Sequence, residues 1–177
     1  VATSMPVPIE FRLPEGWQAA KPDEVGAPGA AFVALHPTSQ VPGFTTNITI
    51  DGEVRSDEIS LVEVAEESVT NLAEASRGVA VSDRREIGSA DAPGLTQLLT
   101  VSAVIGETTR ELVQCQVYLA MPDERDPGVR AVVRLAMTAP SEQFDSVRAD
   151  FQEFVSTVRA GSSGDSGTPG DSSSPSG

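Results

Sequence analysis

An α+β domain, an antiparallel β-sheet meander packed with two main helices, is the fold class this sequence predicts. Four runs between residues 79 and 137 carry strand-like apolar and polar patterning and are joined by short Gly-, Pro- and Asp-rich connections. That is the signature of hairpin-linked strands with one buried face. Phe144, Val147, Phe151, Phe154 and Val158 recur at helical spacing directly after the last run, an apolar stripe that must bury itself against another element. A second helical pattern lies earlier, between strands, so the order is strands, helix, strands, helix rather than a strict β/α alternation.

Each element has its own signal. Glu10 to Leu13 alternates briefly and stops at Pro14-Glu15-Gly16-Trp17, a turn followed by the only tryptophan. Ala30 to His36 reads as a strand ending at Pro37. Thr45 to Asp51 is another, with Ile48 and Ile50 on one face and Asn47, Thr49 and Asp51 on the other. Ser60 then serves as a helix N-cap, with Glu63 as capping-box partner and Ile59 and Val64 at staple spacing. Val62, Ala65, Val69, Leu72, Ala73 and Ser76 are expected inward, Glu66, Glu67 and Glu74 outward, and Arg77-Gly78 ends the helix. Strands are predicted over Val79–Ile87, Leu95–Ile105, Glu111–Leu119 and Val129–Met137. In the last two, Val113, Cys115, Val117, Leu119, Val129, Ala131, Val133, Leu135 and Met137 face the core. Gln114, Gln116, Arg130 and Arg134 share a polar face. The closing helix opens at Pro140-Ser141 and ends near Arg159-Ala160-Gly161.

A chain of 177 residues has the length of one domain with a sizeable core. Residues 1–8 (VATSMPVP) read as an extended lead-in and 9–160 as the domain. Residues 161–177 (GSSGDSGTPGDSSSPSG) offer nothing to bury and are predicted to be a disordered tail. The net charge of −14 argues against nucleic acid, whose phosphates are bound by clustered Lys and Arg, and against docking on anionic lipid. No apolar run is long enough to cross a bilayer, and no signal peptide is visible. One cysteine forms no intrachain disulfide and is compatible with the cytosol or an oxidising compartment, so location stays open.

The residues that carry chemistry do not converge. One His and one Cys leave only carboxylates for a metal; Asp123, Glu124 and Asp126 cluster in a turn without EF-hand spacing and read as a solvated loop. Gly164-Asp165-Ser166-Gly167 resembles the nucleophile region of trypsin-like proteases but lies in the tail, with no scaffold to hold it. Cys115 falls in a core-facing register, as a small hydrophobe. Gly26-Ala27-Pro28-Gly29 lacks the Lys and helix of a phosphate loop. Asn47-Ile48-Thr49 is a formal glycosylation sequon inside a strand. His36 is the only conventional general base near neutral pH, at a strand end where a hydrogen-bonded histidine is ordinary. No enzyme, catalytic residue, metal or cofactor is therefore expected.

The pieces FRLPEGW (Phe11–Trp17), NITI (Asn47–Ile50) before a long helix, the meander, LAMTAP (Leu135–Pro140) and SEQFDSVRADFQEFVSTV (Ser141–Val158) occur in an order that resembles the PsbP-like fold and its bacterial DcrB-like branch, over roughly residues 7–160. The composition, rich in Ala, Arg, Val and Asp and scarce in Lys, is consistent with a bacterial member. The resemblance implies a non-enzymatic scaffold for binding other proteins; it carries no common catalytic set onto this chain, and no lipobox cysteine is present in it.

What remains are surfaces. Arg130 and Arg134, near Gln114 and Gln116, could receive a carboxylate or an acidic peptide, or pair with neighbouring Asp and Glu. Trp17 could anchor a partner or pin the N-terminal segment to the core. The expected function is a protein-binding or adaptor module acting through Trp17, Gln114, Gln116, Arg130, Arg134 and the adjacent loops, with partner identity and oligomeric state open. The alternative is a carrier of a small apolar or lipid ligand between sheet and helix, on account of the many small inward Ala and Val residues.

Overall fold

The computed structural model describes residues 8–25, 30–89, 92–122, 126 and 128–161. Residues 1–7 of the lead-in, Gly26–Gly29, Asp123, Glu124 and residues 162–177 of the tail, GDSG included, lie outside the described residues. The chain runs β1 (Ile9–Glu10), β2 (Gln18–Ala20), β3 (Phe32–Val41), β4 (Phe44–Ser56), α1 (Leu61–Glu74), β5 (Gly78–Gly88), β6 (Pro93–Ile105), β7 (Thr108–Pro122), β8 (Val129–Pro140), a 3-10 turn (Ser141–Gln143), α2 (Phe144–Thr157) and β9 (Arg159–Ala160). One seven-stranded sheet has the order β2-β3-β4-β8-β7-β6-β5, and β1 pairs only with β9. All pairings are antiparallel. Helix α1 carries the chain from β4, inside the sheet, to its far edge. The meander β5–β8 then steps back until β8 closes against β4.

Two-residue connections make the tight hairpins. Between β3 and β4 the turn is Pro42-Gly43, and Gly43 has φ 85°. Proline presets the first central position and glycine supplies the left-handed second. A Cβ at Gly43 would also stand 2.7 Å from Ile105. Between β6 and β7 Gly106 (φ 66°) supplies a left-handed residue at the first central position, in Gly106-Glu107.

The main core lies under α2, where Phe144, Val147, Phe151 and Phe154 pack on Ile48, Ile50, Val117, Leu135 and Met137. On the opposite face α1 buries Leu61, Val64, Ala65 and Ser68 against Leu95, Tyr118, Ala120 and Val132, and Val69 and Leu72 against Leu99, Val101 and Leu112. Ala65, Val69 and Leu72 thus lie on the inward face the sequence reading gave them, Leu61, Val64 and Ser68 widen it on one side, and Ala73 is exposed.

Several strands outrun their sequence signals. β3 continues through Pro37, which is tolerated because β2 ends opposite Leu35 and the β3–β4 register shifts between Leu35 and Gln40. An edge position with a bulge needs no N–H there. β4 extends to Ser56 because Gly52 to Ser56 pair with Val129 to Val133. Helix α2 stops at Thr157, and Val158 is already extended (ψ 131°), leading into β9. The edge strand β5 is interrupted by a register shift between Val81 and Asp83 and then carries Asp83, Arg84, Arg85 and Glu86, features that discourage edge-to-edge association.

The start of α1 forms the expected capping box. The Glu63 N–H donates to Ser60 Oγ at 3.1 Å and the Ser60 N–H to Glu63 Oε1 at 3.4 Å. Ser60→Ala should cost about 1 kcal/mol in chemical denaturation, with the unfolding slope unchanged.

Candidate functional site

The polar face is half covered. Gln97 on β6 and Gln116 on β7 stand opposite one another, each only 1% exposed beneath α1. Gln97 Nε2 donates to Gln116 Oε1 at 2.7 Å and to the Ala65 carbonyl at 3.4 Å. The Tyr118 hydroxyl donates to the same Oε1 at 2.8 Å. Gln116 Nε2 donates to Ser68 Oγ at 3.2 Å and to Gln114 Oε1 at 2.5 Å, and Gln114 Nε2 to Thr138 Oγ1 at 2.8 Å. On the next strand Arg134 donates through Nη1 to Ser68 Oγ at 2.9 Å and through Nη2 to Asp51 Oδ2 at 2.6 Å. Arg84 Nε closes the far end on Gln97 Oε1 at 2.9 Å. One network therefore crosses the sheet from β5 to β4, each buried amide satisfied by another.

Its electrostatics follow from burial. Burial works against the Arg134 charge, but the Asp51 carboxylate and the Tyr118 hydroxyl outweigh it and hold the guanidinium pKa above its ordinary value. Burial pushes the Tyr118 phenol up. At the open margin, Arg55 grips Glu67 of α1 through two 2.9 Å bonds, and those bonds lower the Glu67 pKa.

Over β3 and β4 the same face is open. A cleft of about 290 Å³ lies between α1 and β4, lined by Asp51, Glu53, Glu67, Ser68 and Arg134 among others. Further along β4 comes a groove of about 620 Å³ whose lining includes Leu35, Phe44, Asn47, Thr49, Gln114 and Thr138.

On the α2 face of the sheet Trp17 is buried, 7% exposed. Its Nε1 donates to Asp150 Oδ2 on α2 at 2.9 Å, and its ring lies 4.8 Å from that of His36. His36 Nδ1 shares a 2.8 Å hydrogen bond with Ser39 Oγ, while Nε2 stands 4.0 Å from Asp150 Oδ2. Serine, histidine and aspartate are thus neighbours. However, the carboxylate is engaged by the indole, and Ser39 is only 6% exposed, which leaves a substrate carbonyl little access to Oγ. The cluster pins the N-terminal segment.

On the α2 face a second cleft, about 460 Å³, runs between the helix and β5–β8. Its lining includes Leu98, Cys115, Val117, Met137, Phe144, Phe151 and Val155, with Asp83, Arg85, Arg148 and Gln152.

No protein-family profile and no curated protein matches the chain. Solved structures do. LpqN of Mycobacterium tuberculosis, involved in cell envelope biogenesis, is similar at TM-score 0.60 and 13% identity, covering 89% of this chain and 87% of its own. The cyanobacterial PsbP protein CyanoP of Synechocystis sp. PCC 6803 is similar at TM-score 0.57 and 14% identity, covering 86% of each chain. The Saccharomyces cerevisiae Ran-binding protein Mog1p follows at 0.54 and 12% identity, covering 86% of this chain and 89% of that one. The chain has the PsbP-like fold. At such identities the likeness is one of architecture.

Within this PsbP-like frame the five residues singled out from sequence fall into different places. Gln114 lines the open groove and Arg134 the cleft beside it, paired with Asp51. Gln116 is buried between them under α1. Arg130 donates to the Ile59 carbonyl at 2.8 Å, steadying the approach to α1. Trp17 is in the core. Asn47, Thr49, Thr138 and Asp51 share the open face with Gln114 and Arg134; the alternation of β4 marked three of them as polar, but their position beyond the reach of α1 has no local signal. Cys115 is half-buried on the floor of the α2 cleft, and burial raises its thiol pKa. Alkylation by iodoacetamide at pH 7.5 should be markedly slower than for a free peptide thiol, accelerating only above the usual thiol range.

Proposed function

We propose that this PsbP-like chain is a non-enzymatic binding protein that takes an extended segment of a protein partner into the open half of its polar face. The observation that carries this reading is the groove along β4, where side-chain amides and hydroxyls at Asn47, Thr49, Gln114 and Thr138 lie beside apolar Leu35 and Phe44. Such groups can pair with the backbone of an extended segment while the apolar residues receive its side chains. Gln114 and Arg134 are the contact residues; Gln116, Arg130 and Trp17 hold the surface in shape. Ran binding is a property of Mog1p, and this fold's use there as a protein-binding scaffold supports the reading by analogy. Among the described residues no helix is long and apolar enough to cross a membrane.

A photo-reactive side chain at Thr49 should crosslink a single protein in source lysate, and Gln114→Ala or Arg134→Gln should weaken the yield. The same group at exposed Ser156 on α2 should not crosslink it. Equal yield at both positions, or yield indifferent to the variants, would overturn the assignment.

The α2 cleft favours a second reading, a carrier of a small apolar ligand. Its floor is apolar, and its volume lies in the roughly 300–1,000 Å³ range of small-molecule sites. Native mass spectrometry of protein purified from its source should then show a bound mass. Repeated apo spectra would remove this reading.

A further inference from the structure

The cleft has a charged lip as well as an apolar floor. Met137 is fully buried, Phe151 is 2% exposed, and Val117 and Phe144 are 6% exposed; Leu98, Cys115 and Val155 are half-buried. Two arginines stand among the lining residues of a protein with net charge −14. Arg85, on β5, is held by Asp83 through a 3.1 Å bond. Arg148, on α2, lies 5.7 Å above the Phe144 ring and makes no salt bridge to any described residue. Gln152, one helical turn further on, adds an amide at the same lip. Among the described lining residues Asp83 is the one carboxylate, and it is already engaged by Arg85.

We infer that this cleft binds a single-chain fatty acid, its hydrocarbon tail along Leu98, Cys115, Val155 and the accessible edges of Val117 and Phe144, and its carboxylate on Arg148. The assignment rests on the carrier reading and adds the ligand's charge and its polarity in the site. The volume is in the range of small-ligand pockets, and a tail gains roughly fourfold in affinity per buried methylene. A guanidinium that makes no salt bridge to a described residue and stands over an aromatic ring supplies a charge-assisted pair for the head. A cationic head would meet Arg148 and Arg85 and be repelled. A neutral head would leave Arg148 as it is.

The test uses dodecanoate, dodecan-1-ol and dodecyltrimethylammonium below their aggregation concentrations, titrated into the full chain. Methyl NMR shifts of Leu98, Val117 and Val155 report occupancy. Dodecanoate should bind one per chain and shift these methyls. Arg148→Gln, an exposed substitution, should weaken dodecanoate at least tenfold and leave the alcohol unaffected. If acid and alcohol bind equally and Arg148→Gln alters neither, the head-group assignment falls while the carrier reading stands. If none of the three shifts these methyls, both fall. Dodecanoate binding that leaves them unmoved places the ligand elsewhere and overturns the assignment.

Discussion

Phe154→Ala is expected to remove about 3–5 kcal/mol of stability, a large part of the roughly 5–15 kcal/mol available to a domain. Phe154 is fully buried. Its ring meets Phe11 edge-on at 5.5 Å and Phe151 at 6.1 Å, and Phe11 meets Phe32 of β3 at 4.9 Å. The ring therefore joins three parts of the chain: the N-terminal segment, an outer strand and α2. Truncation leaves a cavity that rigid strands on one side cannot collapse into. Thermal unfolding should fall by about 2–4 °C for each kcal/mol lost in a chain of this size. Phe144→Leu, nearer the helix start and closer in volume, should cost well under half as much. Equal losses would mean that α2 is anchored along its whole length rather than at Phe154.

Gln116→Ala should cost about 3 kcal/mol, although it deletes no large apolar surface. The amide accepts from Gln97 and Tyr118 and donates to Ser68 and Gln114. Its removal takes away the acceptor of the Tyr118 hydroxyl and leaves Gln97 Nε2 with only the long Ala65 contact. An orphaned buried polar group costs about 1–3 kcal/mol. Gln97→Met combined with Gln116→Met removes both partners and should cost less than the two single changes summed, by about 1 kcal/mol or more in a double-mutant cycle from urea denaturation. Strict additivity would show that the 2.7 Å bond contributes nothing.

That network marks where the sequence stopped being readable. Alternation at Gln114, Gln116, Arg130 and Arg134 identified a polar face, and a polar face ordinarily means solvent. Helix α1 nevertheless lies on half of it, because Gln116 finds Gln97 and Ser68, residues 19 and 48 positions away in the chain. No period carries that information. Local chemistry was legible: the Ser60–Glu63 box set the start of α1, and the Phe stripe located the face of α2. Strand lengths were not, since Gly52 to Ser56 are kept extended by partners on β8 rather than by their own propensity. The Trp17–Asp150 bond spans 133 positions and likewise had no local signal; the turn before Trp17 indicated only that the tryptophan follows a change of direction.

The two-stranded clasp has a consequence for how this chain can be rewired. Ile9 faces Ala160, Glu10 faces Arg159, and the Gly161 N–H donates to the Pro8 carbonyl at 2.9 Å, so the folded portion is nearly a closed ring. Joining 161 to 8 through a few glycines and opening the ring at Gly106-Glu107 would reorder the sequence without breaking a pairing of the seven-stranded sheet. It would also convert the contact most distant in sequence among the described residues into a local one, sparing its loop-closure entropy. In that permuted chain β7, β8 and β4 are no longer separated by the whole of the meander's first half, and the sheet could begin to assemble from its centre.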